Sequence, residues 1–433
     1  MRVDAAQNPY LFPPAGFSAL ARGASTQGAL TQGALTPAAR MVVQLISTIA
    51  ISVLATTSLA QTAASASMSM LTISRVNSPG WWPTKGDAGR DSYVGTAACA
   101  RCHASKAATQ QKHAMARAAV RASDAETLRQ HDHLSFRLGP YREQIVTKGG
   151  ESVLTVSAGG ALFSTDVLWA FGAGRMGQTY VYEKNGSYYE SHLTFFSSSQ
   201  DLNITPGQSP STPRSLEDAA GRRMPLAESR ACFACHTTAS VVNNQLDVKG
   251  AVPGVTCEAC HGPGASHVVA MNSGEQDQGD PLIMNPSRLG PVESVDFCGA
   301  CHRTQEDVVT NIGLIALNLR FAPYRLENSK CWSKPDARLT CVACHDPHQP
   351  LEHDPAAYDS RCLQCHVNQP GAKTTADHPG AACPVNTRNC TTCHMPKVES
   401  SIQRSIFTDH WIRKPTQMTD LTGNGNFIPP KSP

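Results

Sequence analysis

Mostly short α-helices and loops, packed around groups other than their own side chains and interrupted by a small β-rich insert, is the fold class that three observations predict. The first is a pattern, Cys-x-x-Cys-His, which occurs seven times: Cys99, Cys102 and His103; Cys232, Cys235 and His236; Cys257, Cys260 and His261; Cys298, Cys301 and His302; Cys341, Cys344 and His345; Cys362, Cys365 and His366; Cys390, Cys393 and His394. The second is a shortage of large side chains: aromatics make up 6% of 433 residues, so another source of buried apolar surface is needed. The third is punctuation. With 32 Gly and 29 Pro, long helices are interrupted almost everywhere.

Cys-x-x-Cys-His is the attachment signature of c-type haem. Two thiols three apart on a helical turn form thioethers to both vinyl groups, and the next residue then places an imidazole nitrogen on the iron. Seven copies imply seven covalent haems. A tetrahedral zinc site also uses paired cysteines with histidines, but it needs no histidine directly after every pair. Only 16 residues are His, so seven such coincidences do not arise by chance. A thioredoxin-like dithiol would use one pair in a βαβ unit, which this loop-rich chain does not resemble.

Residues 41–60, MVVQLISTIAISVLATTSLA, follow Arg40, carry no charge and end in Ser58-Leu59-Ala60. They read as a secretory signal peptide cleaved after Ala60, with a membrane anchor as the alternative. Residues 1–40, with the near-repeat TQGALTQGALTPAA, read as an extension from a start codon placed too early, and residues 61–93 as a flexible linker rich in Ala, Ser, Gly and Pro. An exported chain meets the oxidising compartment in which c-type haem is attached, so the periplasm is the expected location, with the cell surface or exterior as the alternative. Fourteen of 16 cysteines belong to the motifs, which leaves Cys331 and Cys383. They read as a disulfide or as two free thiols.

The formal charge of +3 falls to +1 once residues 1–60, with three Arg and one Asp, are removed. Two propionates per haem, offset by one charge on a ferric core, then shift the holoprotein by about −7. Nucleic acid is excluded as a partner. Residues 94–130 form a first haem segment, 131–230 a β-rich insert with a flanking helix, 231–413 a six-haem domain and 414–433 a tail. Roughly 30 residues per haem in the six-haem domain cannot build an ordinary core, so stacked macrocycles must supply it.

Within the insert, Val153–Val156, Thr179–Glu183 and Tyr188–Phe196 are rich in Val, Thr, Tyr and Phe, and Gly149-Gly150 and Asn185-Gly186 are turn signals. Ser105–Arg129 and Ser215–Arg230 have helical composition.

A haem with two imidazole ligands is closed and transfers electrons, whereas one with a single protein ligand is open to small molecules. Nine histidines lie outside the motifs. His348 follows the Asp-Pro turn after His345, and His267 follows a Gly-Pro-Gly turn after His261, so both are placed to reach a neighbouring iron. His113 lies ten residues past His103, and His378 and His410 each follow an Asp that can orient an imidazole. These five are the candidate distal ligands. His131, His133, His192 and His353 read at least as well as surface residues.

The opening Tyr93-Val-Gly-Thr-Ala-Ala-Cys99, the turn Cys257-Glu-Ala-Cys-His-Gly-Pro-Gly264, Cys341-Val-Ala-Cys-His-Asp-Pro-His348 and Cys390-Thr-Thr-Cys-His-Met-Pro-Lys397 resemble the multihaem cytochromes c related to the tetrahaem electron carrier of ammonia oxidisers, the cytochrome c-554-like proteins. Nitrite reductase and hydroxylamine oxidoreductase are more distant relatives. The resemblance spans residues 93–413 and is weakest in the insert. It implies haems in alternating near-parallel and near-perpendicular pairs, mostly bis-histidine, a Cys331–Cys383 link, and Met395-Pro396-Lys397 packed beside the last haem. The chain has no Cys-x-x-Cys-Lys and seven motifs rather than eight, which disfavours the enzymes.

The expected function is therefore single-electron transfer along closely packed haems, with no catalytic residue. Redox proteins are the expected partners, membrane quinol oxidases or other multihaem cytochromes among them. Arg101, Arg303 and Lys397 read as propionate partners or as solvated surface charge. Two alternatives remain: an oxidoreductase with one open haem acting on a small nitrogen or sulfur oxyanion, and a subunit of an extracellular haem filament.

Overall fold

The computed structural model describes residues 88–274, 282–310, 312–329, 331–332, 339–366, 383–415 and 425–427. Residues 1–60, most of the linker and His378 lie outside them. Chain order begins with α1 (Gly95–Ala100) and α2 (Ala104–Gln110), then β1 (Ala119–Arg121) and α3 (Glu126–Gln130). Strands β2 (His133–Leu138), β3 (Tyr141–Lys148), β4 (Glu151–Ala158), β5 (Ala161–Asp166), β6 (Trp169–Phe171), β7 (Gly177–Lys184), β8 (Ser187–Phe196) and β9 (Asp201–Ile204) follow. After α4 (Leu216–Ala220) and β10 (Gly221–Arg223) comes α5 (Leu226–His236).

These strands form two antiparallel sheets: β2-β3-β4-β5, and β1-β6-β7-β8-β10 with β9 also on β8. Hairpin turns account for the connections. Gly149-Gly150, Gly159-Gly160 and Asn185-Gly186 all have positive φ at both positions, the backbone that lets a two-residue loop follow strand twist. The expected hairpin at Asn185-Gly186 forms, with Lys184 opposite Ser187.

Strand β7 shows how the insert serves the rest of the chain. Side chains alternate across a strand, and here both faces are buried. Tyr180 and Tyr182 join Leu134, Ile145, Leu154 and Val156 in a core between the sheets. Val181 points the other way and packs with Trp169, Met224 and Phe233. Phe233 belongs to α5, the helix that carries the second motif, so the inner sheet is a platform for a haem-attachment turn.

The β-rich part is larger than expected, and the segments read as helices are broken. Within 105–129 the helix ends at Gln110, a 3-10 turn covers Ala114–Arg117, and β1 pairs with β6. Within 215–230 a strand separates two helices. Sheet pairing outweighs helix propensity at both places.

Beyond β10 the elements shorten: β11 (Thr237–Thr238), β12 (Val241–Val242), β13 (Gln245–Leu246), β14 (Val252–Pro253), α6 (Cys257–His261), α7 (Ala265–Ser273), α8 (Pro291–His302), α9 (Gln305–Thr310), α10 (Ala322–Glu327), α11 (Cys341–Cys344), α12 (Asp359–Leu363), α13 (Cys390–His394), β15 (Lys397–Ser400), β16 (Ser405–Thr408) and β17 (Gly425–Phe427). Gly254, at φ +73°, lies against the Ala116 carbonyl where a Cβ has no room. This close approach locks residues 115–118 onto the stretch before the third motif, helped by Val255 N–H on the Met115 carbonyl at 2.9 Å. The clusters around Tyr180, Trp169 and Val241 lie between Ala119 and Ala251. No helix of the described residues is long and apolar enough to cross a membrane.

Candidate haem-binding sites

Each motif occupies about one helical turn. The His103 amide donates to the Cys99 carbonyl at 2.8 Å, that of His345 to Cys341 at 2.9 Å and that of His366 to Cys362 at 3.0 Å. Helices α5, α6, α8 and α13 end on their motif histidines. That spacing sets both thiols and the imidazole around one turn, as a covalently attached macrocycle requires.

Second partners orient the imidazoles. Nδ1 of His236 bonds the Ala118 carbonyl at 3.0 Å, that of His261 the Met284 carbonyl at 2.8 Å, and that of His394 the Arg413 carbonyl at 2.9 Å. With Nδ1 so engaged, Nε2 is left to face a metal.

Three imidazole pairs face one another. The His103 and His267 rings are near-parallel with centroids 6.5 Å apart, those of His261 and His348 near-parallel at 6.0 Å, and His345 and His410 lie tilted at 6.2 Å. Rings in van der Waals contact would sit closer. Two metal–nitrogen bonds of about 2 Å, with the ring radius added at each end, fit this separation. Nδ1 of His410 bonds the Thr408 carbonyl at 3.0 Å, leaving its Nε2 available to a metal.

His302 ends α8. Enclosure, then the nearby His236 and Arg320, lowers its pKa to about 4. Burial also lowers the pKa values of His236, His261, His345 and His410. All five are neutral near pH 7, the state a metal ligand needs. The residues present therefore fit haem.

The motifs adjoin one another. Cys257 Sγ lies 3.8 Å from Thr96 Oγ1, and Cys235 Sγ lies 3.7 Å from the Ala300 carbonyl. Thiol contacts join Cys99 to Cys257, Cys235 to Cys301, Cys298 to Cys341 and Cys362 to Cys390. Burial, then the Cys257 charge, pushes the Cys99 thiol up to about 11. His348 reaches from the fifth motif to the third, and the Tyr358 ring, just before the sixth, lies 5.6 Å from His345. All seven motifs are thus connected by contact.

Two carboxylates fasten motif to motif. Glu258, inside the third motif, accepts from the amides of Val94 and Gly95 at 2.9 and 2.8 Å and from Gly264 at 2.9 Å. Asp359, at the start of α12, accepts from the amides of Asn389 and Cys390 at 2.7 and 2.8 Å. Each satisfies N–H groups at the start of another motif's helix. Glu258→Gln is expected to cost about 1–3 kcal/mol and to loosen the first motif, read as a lower denaturation midpoint.

The other candidates are placed differently. His113 caps the Ala114–Arg117 turn, its Nδ1 accepting from the Met115 amide at 3.0 Å, and it forms none of the three facing pairs. His192, read as a surface residue, is buried: Nδ1 bonds Glu143 at 3.2 Å and Nε2 faces the Ser209 carbonyl at 3.4 Å. His131 packs on Phe195, His133 bonds Gln144, and His353 bonds Arg175. Cys331 and Cys383 are not joined. Backbone N–H groups of Asn386 and Val385 hold the Cys383 thiol below its ordinary pKa, while Cys331 lies near Cys344. Glu258, Asp359 and the Arg325–Asp409–Arg413 cluster were not visible as site residues from sequence. Of these, only the Asp before His410 carried a signal.

No curated protein sequence matches the chain. Among solved structures, the outer cell wall cytochrome OcwA is similar at 14% identity and a TM-score of 0.35, over 74% of this chain and 80% of that one. Residues 189–262, which carry the second and third Cys-x-x-Cys-His motifs, match the family described as cytochrome c554 and c-prime, so that segment is similar to cytochrome c554.

Proposed function

We propose that this chain is an exported seven-haem c-type cytochrome that passes single electrons between redox partner proteins. Three imidazole pairs spaced 6.0–6.5 Å apart carry the reading, because closed irons transfer electrons and exclude substrate. His103 with His267, His261 with His348, and His345 with His410 would hold three of the haems, each attached through its own motif cysteines. When bound, haem supplies reversible one-electron chemistry. The chain's part is to orient imidazoles through backbone carbonyls, to keep them neutral, and to hold the motifs in contact so that no iron is isolated.

A second reading, reduction of a small nitrogen or sulfur oxyanion at one open haem, is favoured by the surroundings of His236. Its ring packs on Phe171 at 5.2 Å, and Arg320 is the nearby cation. Purified holoprotein distinguishes the two. Seven haems by mass, all low-spin, with spectra unmoved by nitrite or hydroxylamine, are expected of the carrier. A high-spin fraction that responds to either would establish the second reading.

A further inference from the structure

Residues 408–413 form one short segment that touches the axial imidazoles of two motifs. The Thr408 carbonyl orients His410, which faces His345 of the fifth motif, and the Arg413 carbonyl orients His394 of the seventh. Between these contacts lies a buried ionic cluster. The Asp409 carboxylate accepts from Arg325 Nε at 2.7 Å, Arg325 Nη2 at 2.5 Å and Arg413 Nη1 at 2.6 Å, and from the Trp411 amide at 3.0 Å. Asp409 is 0% exposed, Arg325 1% and Arg413 9%. Both guanidiniums approach the Trp411 ring, at 5.5 and 4.4 Å from its centroid.

Two cations share one anion, so the cluster's protein groups sum to a net charge of +1. It is not closed on itself: Arg413 Nε and Asn318 Nδ2 are buried without a hydrogen-bond partner, although Asn318 Oδ1 accepts from Arg325 at 3.3 Å. Burying an unbalanced charge is costly, and a stabilising fold would replace it with apolar side chains. Its persistence beside two axial ligands calls for a functional explanation.

We propose that the Arg325–Asp409–Arg413 cluster is a built-in charge centre that raises the reduction potentials of the haems held by His345/His410 and by His394. The inference rests on the electron-carrying reading above. A bis-imidazole iron–porphyrin core is cationic when oxidised and neutral when reduced, so a nearby fixed positive charge disfavours the oxidised form. In a poorly screened interior that effect is strong. Arg413 and Asp409 act here as positioning and charge-setting residues, without contact with a substrate.

The test is a potentiometric titration of the seven-haem protein, followed by optical and electron paramagnetic resonance spectra. Arg413→Gln removes a charge while keeping the backbone carbonyl on His394, and is expected to lower the potentials of two haems. Arg413→Lys keeps the charge and should titrate as wild type. Asp409→Asn adds a charge and should raise the same two potentials. Shifts of opposite sign cannot come from loosened packing, which would move both variants alike. Equal shifts, no shifts, or a lysine variant that follows the glutamine one would overturn the proposal. Where Asp409→Asn loses haem, the two Arg413 variants decide. A wild-type protein without redox-active low-spin haem would overturn the electron-carrying reading itself, which the first titration reveals before any variant is compared.

Discussion

Replacing His348 with Ala is expected to convert one haem from low to high spin, leaving the others unchanged. His348 faces His261 at 6.0 Å with rings inclined by 13°, and no other described histidine ring faces His261 so. The same result is expected for His267→Ala at the first motif and His410→Ala at the fifth. Added imidazole should restore the low-spin spectrum by entering the vacated position, and cyanide should bind the variant but not the wild type. Full low-spin haem in all three variants would show that the facing pairs are not axial pairs. His192→Ala is the control. It should leave the haem spectrum untouched, yet cost about 3–5 kcal/mol by stranding the buried Glu143 carboxylate.

Chain made without haem attachment is expected to lose the region from Cys257 to Arg413 while keeping that from Ala119 to Ala251. Limited proteolysis should cut the former rapidly and leave the latter as a protected fragment, with circular dichroism dominated by strand. The reason is the placement of apolar contact. Between Ala119 and Ala251 the two sheets bury Trp169, Tyr180, Tyr182, Leu193 and Phe233 at 2% exposure or less, and buried area of that kind contributes about 1.5–3 kcal/mol per large side chain. Among the described residues beyond Ala251 buried apolar side chains, Val295, Phe297, Val308, Leu319, Phe321 and Leu326 among them, are fewer, and exposed Val342, Leu351 and Val385 lie near attachment turns. Equal protection of both regions would show that the haem-binding part has a side-chain core of its own.

Local chemistry made much of this legible. Attachment turns, the Asn-Gly hairpin and the reach of His267, His348 and His410 all follow from residues near one another in sequence. What escaped depends on distant partners. The Ala-rich stretch 105–129 has helical composition, but its end is taken by β1 pairing with Trp169–Phe171. Strands β2 and β3 carry His133, Ser135, Arg137, Arg142 and Lys148 on their open face, while the charged Glu143 is buried on the other, which masks alternation in HLSFRL and YREQIVTK. Glu258 occupies a variable position of its motif, and nothing local marks it as the cap of another helix. His113 lies near His345, and its Nδ1 caps the turn it begins.

The bond from Glu258 to Val94 spans 164 positions of the chain, and this bears on the order of events during synthesis and export. When the first attachment turn emerges, the carboxylate that holds its helix and the imidazole of His267 are still to be made. Were haem attached as the chain emerges, the first haem would wait in an unfinished pocket. Closing so long a loop is entropically unfavourable for a disordered chain, but the intervening strands pair mostly with sequence neighbours and can assemble first. Once they have, β1 and α5 lie on one sheet and the two ends of the loop are already near each other. The β-rich insert would then act as a timer and a splint in maturation, active before any electron moves.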